Sequence, residues 1–221
     1  MIRPSMFFAV SLAVACAGPR VRPDDMSAAQ HRESADRERA LAREDAARYD
    51  PGATRVSPLA PPAAQDSTTF FPASVYNPTE GYLREADKHR AHAREHEAAA
   101  QALERFEQAE CREFPERTRA ACPLLGPVAR IDDIDHGVRV TFTPKTRVDA
   151  VYAHMRCHYA YARSRAFDAR VGCPLYMPGI DIRRAGALGV DLVAKDGRRV
   201  DELRNRSREE AVYAGGGGEA Q

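Results

Sequence analysis

The sequence lacks any apolar run long enough to cross a lipid bilayer, which takes about 20 residues. Its longest apolar run, residues 6–15, has ten residues and follows a single positive charge, Arg3. A short run of this kind that ends in small residues is typical of an export signal and not of a transmembrane helix. We therefore predict that residues 1–15 are a signal peptide and that the protein leaves the cytoplasm.

Cys16 directly follows Ala13-Val14-Ala15, and a cysteine after small residues is where bacterial lipoproteins are cut and lipidated. This pattern predicts a lipid anchor on Cys16. Two alternatives stay open: cleavage by ordinary signal peptidase, which would release a secreted or soluble periplasmic protein, and an uncleaved anchor. No aspartate follows the cysteine, so we expect an outer-membrane lipoprotein that faces the periplasm.

The sequence also lacks an excess of charge of either sign. Removal of residues 1–15 takes away one basic residue, Arg3, which leaves 32 Lys and Arg beside 32 Asp and Glu. This balance, without a basic cluster, argues against a nucleic-acid partner. Nucleophile-elbow, P-loop, HExxH and glycine-rich dinucleotide motifs are absent. We therefore predict that the protein is not an enzyme and binds no cofactor.

Four cysteines remain once Cys16 carries the lipid, and an even number in an exported protein predicts disulfides. Four cysteines allow three pairings. We favour the pairing of neighbours, Cys111 with Cys122 and Cys157 with Cys173, because each pair brackets a predicted turn after a helix. The other two pairings stay open.

The pattern of residues predicts an α+β protein with two long amino-terminal helices and a small carboxy-terminal domain. The first helix begins at a capping box formed by Ser27 and Gln30, and the second begins at Asn77-Pro78. The predicted segments are a tether at 16–25, helix 1 at 26–49, a proline-rich linker at 50–76, helix 2 and a disulfide turn at 77–122, a small α/β domain at 123–213 and a flexible tail at 214–221. Phe70 and Phe71 of the linker are predicted to dock onto the folded part.

The two long helices resemble each other. Residues 35–44 align without a gap to residues 86–95 with seven of ten positions identical, which indicates an internal repeat. A heptad-like seam of small residues along helix 2 suggests that the helices pair like a coiled coil or mediate self-association.

The carboxy-terminal domain is predicted to have the order strand, helix, strand, strand, helix. Residues 138–142 alternate as a half-buried strand, and residues 146–164 form a helix with one apolar face. Residues 180–192 form a hairpin that turns at Ala185-Gly186, and the last helix spans about 200–213. Residues 128–131 are a candidate edge strand.

Two groups of histidines are candidate metal ligands. His89, His92 and His96 fall within one arc of helix 2, where neutral imidazoles suit Zn²⁺ or Cu²⁺. The alternative is structural: the repeat places Glu38 and Asp45 at the positions of His89 and His96, so packed helices would form His–carboxylate pairs.

The second group lies in the segment His154-Met-Arg-Cys157-His158, which Cys173 would join to complete a Cys₂His₂ zinc site. The alternative is again structural, with Cys157 tied to the Cys173-Pro-Leu loop across the outer side of its helix.

Several segments resemble those of a group of uncharacterised bacterial cell-envelope lipoproteins. They are residues 26–32 (MSAAQHR), 76–80 (YNPTE), 154–158 (HMRCH) and 173–175 (CPL). The resemblance implies an exported lipoprotein with paired helices and a cysteine-tied carboxy-terminal unit, and it implies no activity.

These observations together predict a non-enzymatic scaffold or protein-interaction lipoprotein, held at the membrane by its lipid and bound to an unidentified envelope protein. Two alternatives are a metal-binding periplasmic lipoprotein and an accessory protein with a small-ligand pocket between the sheet and helix 146–164.

Overall fold

The structure is a computed structural model that describes residues 23–56, 75–125, 128–165, 167 and 172–216. The predicted signal peptide, Cys16, Phe70 and Phe71 lie outside the described residues, as does most of the proline-rich linker. Helices and antiparallel sheets combine in an α+β fold, as predicted. Within the described ranges, no helix has both the length and the apolar character needed to cross a membrane.

The elements follow the predicted order closely. The α-helices of the described residues are α1 (Ala28–Arg48), α2 (Glu80–Glu110), the short α3 (Glu116–Arg119), α4 (Val148–Arg165) and α5 (Val200–Gly216). The strands are β1 (Arg55–Val56), β2 (Val75–Tyr76), β3 (Val128–Ile134), β4 (Gly137–Phe142), β5 (Ile180–Ala185) and β6 (Gly189–Ala194). Helix α5 runs three residues beyond its predicted end at Tyr213.

Helices α1 and α2 form a long antiparallel hairpin whose contact surface is made of alanine. Small side chains let two helix backbones approach closely, at the lower end of the usual interaxial range of about 8–10 Å. The buried alanines recur every seven residues on both helices: Ala28, Ala35 and Ala42 on α1, and Ala86, Ala93 and Ala100 on α2. The helices therefore pair along a heptad seam, as the repeat suggested.

The start of α1 is as predicted, whereas the start of α2 is not. The Ser27 side chain accepts a hydrogen bond from the Gln30 amide, and the Gln30 side chain accepts one from the Ser27 amide. Asn77 does not cap α2. Its oxygen accepts from the Thr79 amide at 2.8 Å, and its Nδ2 donates to the Asp50 carbonyl at 2.7 Å. Asn77 thus joins the two ends of the hairpin connection, and the helix begins after the turn it makes.

The ends of the predicted linker pair with each other. Strands β1 and β2 form a two-stranded antiparallel ribbon in which Arg55 lies opposite Tyr76 and Val56 opposite Val75. This ribbon stands where α1 ends and α2 begins, at the outer end of the hairpin.

The carboxy-terminal domain has two layers. Its antiparallel sheet has the order β3-β4-β6-β5, with the candidate edge strand as β3. The alternating side chains of β4 and β6 bury Val138, Val140, Phe142, Val190 and Leu192 in a core shared with α4 and α5. The opposite face of the sheet is polar: Arg139 and Asp191 form a two-bond ion pair across β4 and β6. The apolar face predicted for α4, including Met155 and Tyr159, lies in the core.

Candidate functional site

The first cysteine pair joins the hairpin to the carboxy-terminal domain. Cys111, at the carboxy-terminal end of α2, forms a disulfide with Cys157 in the middle of α4. Both predicted neighbour pairs are therefore wrong. The reason is tertiary: the end of α2 packs along α4, where Arg156 pairs with Glu110 and the Ser164 hydroxyl donates to Glu107. This packing brings together cysteines that lie 46 residues apart.

The other two cysteines, Cys122 and Cys173, lie side by side in the core. Their sulfur atoms are 2.7 Å apart, and Nε2 of His158 is 3.4 Å from the Cys173 sulfur. The second ring nitrogen of His158, Nδ1, is 2.7 Å from the Arg119 carbonyl, so it donates a hydrogen bond there. All three side chains are buried. The folded structure therefore shields the cluster from solvent.

The electrostatics of this pair are asymmetric. The hydrogen bond from the Cys122 thiol and the neighbouring His158 together lower the pKa of Cys173 to about 6, against the opposing effect of burial. The same hydrogen bond raises the pKa of Cys122, and burial adds to that rise. Cys173 is thus the member of the pair that takes up negative charge more readily.

The geometry of the cluster favours a disulfide over a zinc site. Two thiolates on one tetrahedral zinc ion would lie roughly 3.8 Å apart, given Zn–S bonds of about 2.3 Å. The 2.7 Å between the Cys122 and Cys173 sulfurs is far shorter. Structural zinc sites also take four ligands, and this cluster has three. Cys122 and Cys173 are free thiols in the structure. If the chain is exported, as its first residues predict, we expect them to be oxidised to a second disulfide.

The segment from His154 to His158 does not assemble the predicted metal site. Cys157 cannot ligate a metal because it forms the disulfide with Cys111. Nε2 of His154 is 2.8 Å from the Thr118 carbonyl and is engaged there. His158 and Cys173 are the two members of the predicted set that meet. Both histidines instead bind carbonyls at the end of α3, which holds that short helix against α4. The predicted tie between Cys157 and the Cys173 loop is wrong for the same reason.

The histidines of α2 face carboxylates of α1. His89 Nδ1 is 2.6 Å from a Glu38 oxygen, and its Nε2 is 3.6 Å from an Asp45 oxygen. His92 Nδ1 lies 3.8 Å from the same Glu38 oxygen. The His–carboxylate pairs expected from the repeat are therefore present. His96 does not join this group, so the predicted set of three is split.

His96 pairs instead with His31, a residue that the sequence analysis missed. Their Nδ1 atoms are 2.9 Å apart, which requires one nitrogen to donate and the other to accept. Burial lowers the pKa of His31, and neighbouring His96 and Arg163 lower it further, while a hydrogen bond to Pro23 opposes them. The signal for this pair was the heptad spacing, since His31 lies seven residues before Glu38 on the same face of α1.

Acid is expected to destabilise the protein through the buried His31 ring and the partly buried His154 ring. Burial also lowers the pKa of His154. Because a lowered folded pKa means that the unfolded chain binds more protons, the stabilisation is present above about pH 6.5 and is lost as the pH falls towards the folded pKa values. The free energy of unfolding in urea should therefore decrease from pH 7.5 to pH 5.5.

The variant His31→Gln should flatten that decrease, because glutamine keeps a hydrogen-bonding group opposite His96 but does not titrate. The control is His136→Asn, since His136 is an exposed residue in the β3–β4 turn with a positive φ that asparagine tolerates. An unfolding free energy that is flat over this pH range, or equally steep in His31→Gln, would contradict the assignment to His31.

An open cleft of about 590 Å³ runs beside both histidine groups. Its lining includes His31 and Glu38 on one side and His92, Glu95 and His96 on the other. A second cleft, between α4 and the end of the sheet, has a charged lining that includes Asp25, Lys195 and Arg199. This charged cleft differs from the apolar ligand pocket that was predicted between α4 and the sheet. That interface is filled by core side chains such as Met155 and Leu192.

Comparisons of the chain with protein-family models, with curated proteins and with solved structures gave no significant match in any of the three. The functional argument therefore depends on the residues and geometry described above.

Proposed function

We propose that this protein is a non-enzymatic lipoprotein of the bacterial cell envelope that contacts another envelope protein through the outer end of its helical hairpin. The observation that carries the proposal is the exposed apolar surface of the β1–β2 ribbon. Val56 is 64% exposed, Val75 67% and Tyr76 47%, and within the described residues Leu41 is the other large exposed apolar side chain. A concentration of exposed apolar residues in one place is a common mark of an interaction surface.

The orientation of the hairpin supports this role. Asp25, just before α1, pairs with Arg199, the residue before α5, so the chain enters the fold on the side of the carboxy-terminal domain. The ribbon lies at the other end of α1, whose 21 residues span about 32 Å. A lipid on Cys16 would therefore hold the domain close to the membrane and direct the ribbon away from it.

The rigidity of the hairpin also supports this role. The alanine seam joins α1 to α2 along their length, and the Cys111–Cys157 disulfide attaches α2 to α4. A contact surface carried on a rigid support loses less conformational entropy on binding than one on a flexible chain.

Site-specific photocrosslinking in the bacterium of origin tests the proposal. A photoreactive amino acid at Tyr76 should give a discrete adduct with one envelope protein, and the adduct should be lost with the added change Val75→Asp. The same amino acid at Arg198, an exposed position on the carboxy-terminal domain, is the control. An adduct of twice the chain mass would identify a second copy as the partner.

Fractionation of the same cells tests the anchor. The protein should be found with the membranes, and Cys16→Ser should release it or stop its processing. Equal crosslinking at Tyr76 and Arg198, no adduct at Tyr76, or a wild-type protein that stays in the cytoplasm would each overturn the proposal.

A further inference from the structure

We propose that Glu38, His89 and His92 form a binding site for a divalent transition metal ion that joins α1 to α2. Their ligand atoms, one carboxylate oxygen and two imidazole nitrogens, all lie within 4.8 Å of one another. Two histidines and one carboxylate are a ligand set that zinc and other first-row metals use when positions are left open for water or a further ligand.

The distances suit a metal ion after small side-chain movements. Ligand atoms about 2.0–2.1 Å from a tetrahedral zinc ion are roughly 3.3 Å from each other. The Glu38 oxygen is 2.6 Å from His89 Nδ1 and 3.8 Å from His92 Nδ1, so these two distances each change by less than about 1 Å. The two imidazoles are within 4.8 Å of each other. The backbone beneath is rigid, because the buried Ala86 and Ala93 on either side of the two histidines pack against α1.

Asp45 provides an independent observation. It faces Nε2 of His89 at 3.6 Å, on the side of the ring away from Glu38. A histidine that ligates a metal through one nitrogen usually donates its other N–H to a carboxylate or carbonyl, which selects the tautomer and raises the basicity of the ligating nitrogen. At 3.6 Å this contact is an ion pair longer than a hydrogen bond, and a small movement of either side chain would bring Asp45 into the supporting position.

The site is accessible to an ion from solvent. The His92 side chain is 58% exposed, and with Glu38 it lines the open cleft described above. Glu95, one turn after His92, also lines this cleft. This separates the site from the buried Cys122–His158–Cys173 cluster, which is closed.

Zinc titration of the unlipidated chain tests the proposal. The protein carries Cys16→Ser, has no histidine tag and is used after its mass shows that the other four cysteines are oxidised. One equivalent of Zn²⁺ should bind and raise the melting temperature. His89→Gln and His92→Gln should each weaken binding by at least about 10-fold, and Asp45→Asn by about 10- to 100-fold, as expected for a supporting residue. His136→Asn, an exposed histidine elsewhere, should leave the affinity unchanged.

Cobalt, added to a second sample treated with a reductant so that Cys122 and Cys173 are thiols, distinguishes this site from the cysteine cluster. Co²⁺ bound to imidazole and carboxylate gives only weak visible bands, whereas thiolate ligands add an intense charge-transfer band in the near ultraviolet. The expected spectrum has no such band. The proposal is overturned by no saturable binding, by a thiolate band that accompanies binding, or by full affinity in the His89→Gln, His92→Gln double variant.

Discussion

Replacing Cys111 and Cys157 together by serine is expected to lower the free energy of unfolding by about 2–4 kcal/mol. The disulfide closes a loop of 46 residues, for which the chain-entropy model gives about 4 kcal/mol as an upper value. It is also the one covalent link between α2 and α4 among the described residues. Its loss should let the hairpin separate from the carboxy-terminal domain before the domain itself unfolds.

Urea unfolding of the unlipidated chain measures the loss, and hydrogen exchange shows where it occurs. Exchange should accelerate in the last turns of α2 and leave β4 and β6 protected. Arg156→Gln is a matched control, because it removes the neighbouring ion pair to Glu110 but keeps the cross-link, and it should cost at most about 1 kcal/mol. A double serine variant that loses less than about 0.5 kcal/mol, the range of an ordinary surface change, would show that packing alone holds the hairpin.

The carboxy-terminal domain was readily predicted because its signals are local. Alternation of Val138, Val140 and Phe142 with polar residues has the period of a half-buried strand, and Ala185-Gly186 marks a hairpin turn. The structure places both as expected. The local signals did not predict the order of the strands, because β4 pairs with β6, which is distant from it in sequence.

The cysteine pairing and the partners of His154 and His31 could not be predicted from local pattern. Cys111 meets Cys157, and His154 meets the Thr118 carbonyl, because the end of α2 and α3 pack along α4. The spacing of residues within one helix does not show which other helix packs against it. His31 was missed for a similar reason, since its partner, His96, lies on the other helix of the hairpin.

The repeat explains why the predicted His–carboxylate pairs were correct. In an antiparallel pair of similar helices, a position on the local two-fold axis meets its own equivalent. Glu38 and His89 are equivalent positions in the alignment and are in contact, 2.6 Å apart. Two identical charges there would repel each other, whereas an acid and an imidazole attract. The proposed metal site therefore lies at the pseudo-symmetry centre of the hairpin.

Replacing Ala93 by leucine is expected to destabilise the hairpin by about 1–3 kcal/mol. Ala93 is buried in the α1–α2 seam, where Ala35 and Ala42 of α1 allow close approach of the two backbones. Leucine adds three carbon atoms to a surface that has no space for them, so α1 must move outwards and the neighbouring alanine contacts are lost. The displacement should also separate Glu38 from His89 and weaken any zinc binding between them.

Ala98→Leu is the matched control, because Ala98 lies on the exposed side of α2 and leucine has nearly the helix propensity of alanine. Its effect on the free energy of unfolding should stay within about 0.5 kcal/mol. Urea unfolding of both variants gives the comparison, and circular dichroism shows whether helix content survives. Equal stabilities for Ala93→Leu and Ala98→Leu would mean that α1 and α2 are not held together along the alanine seam in solution.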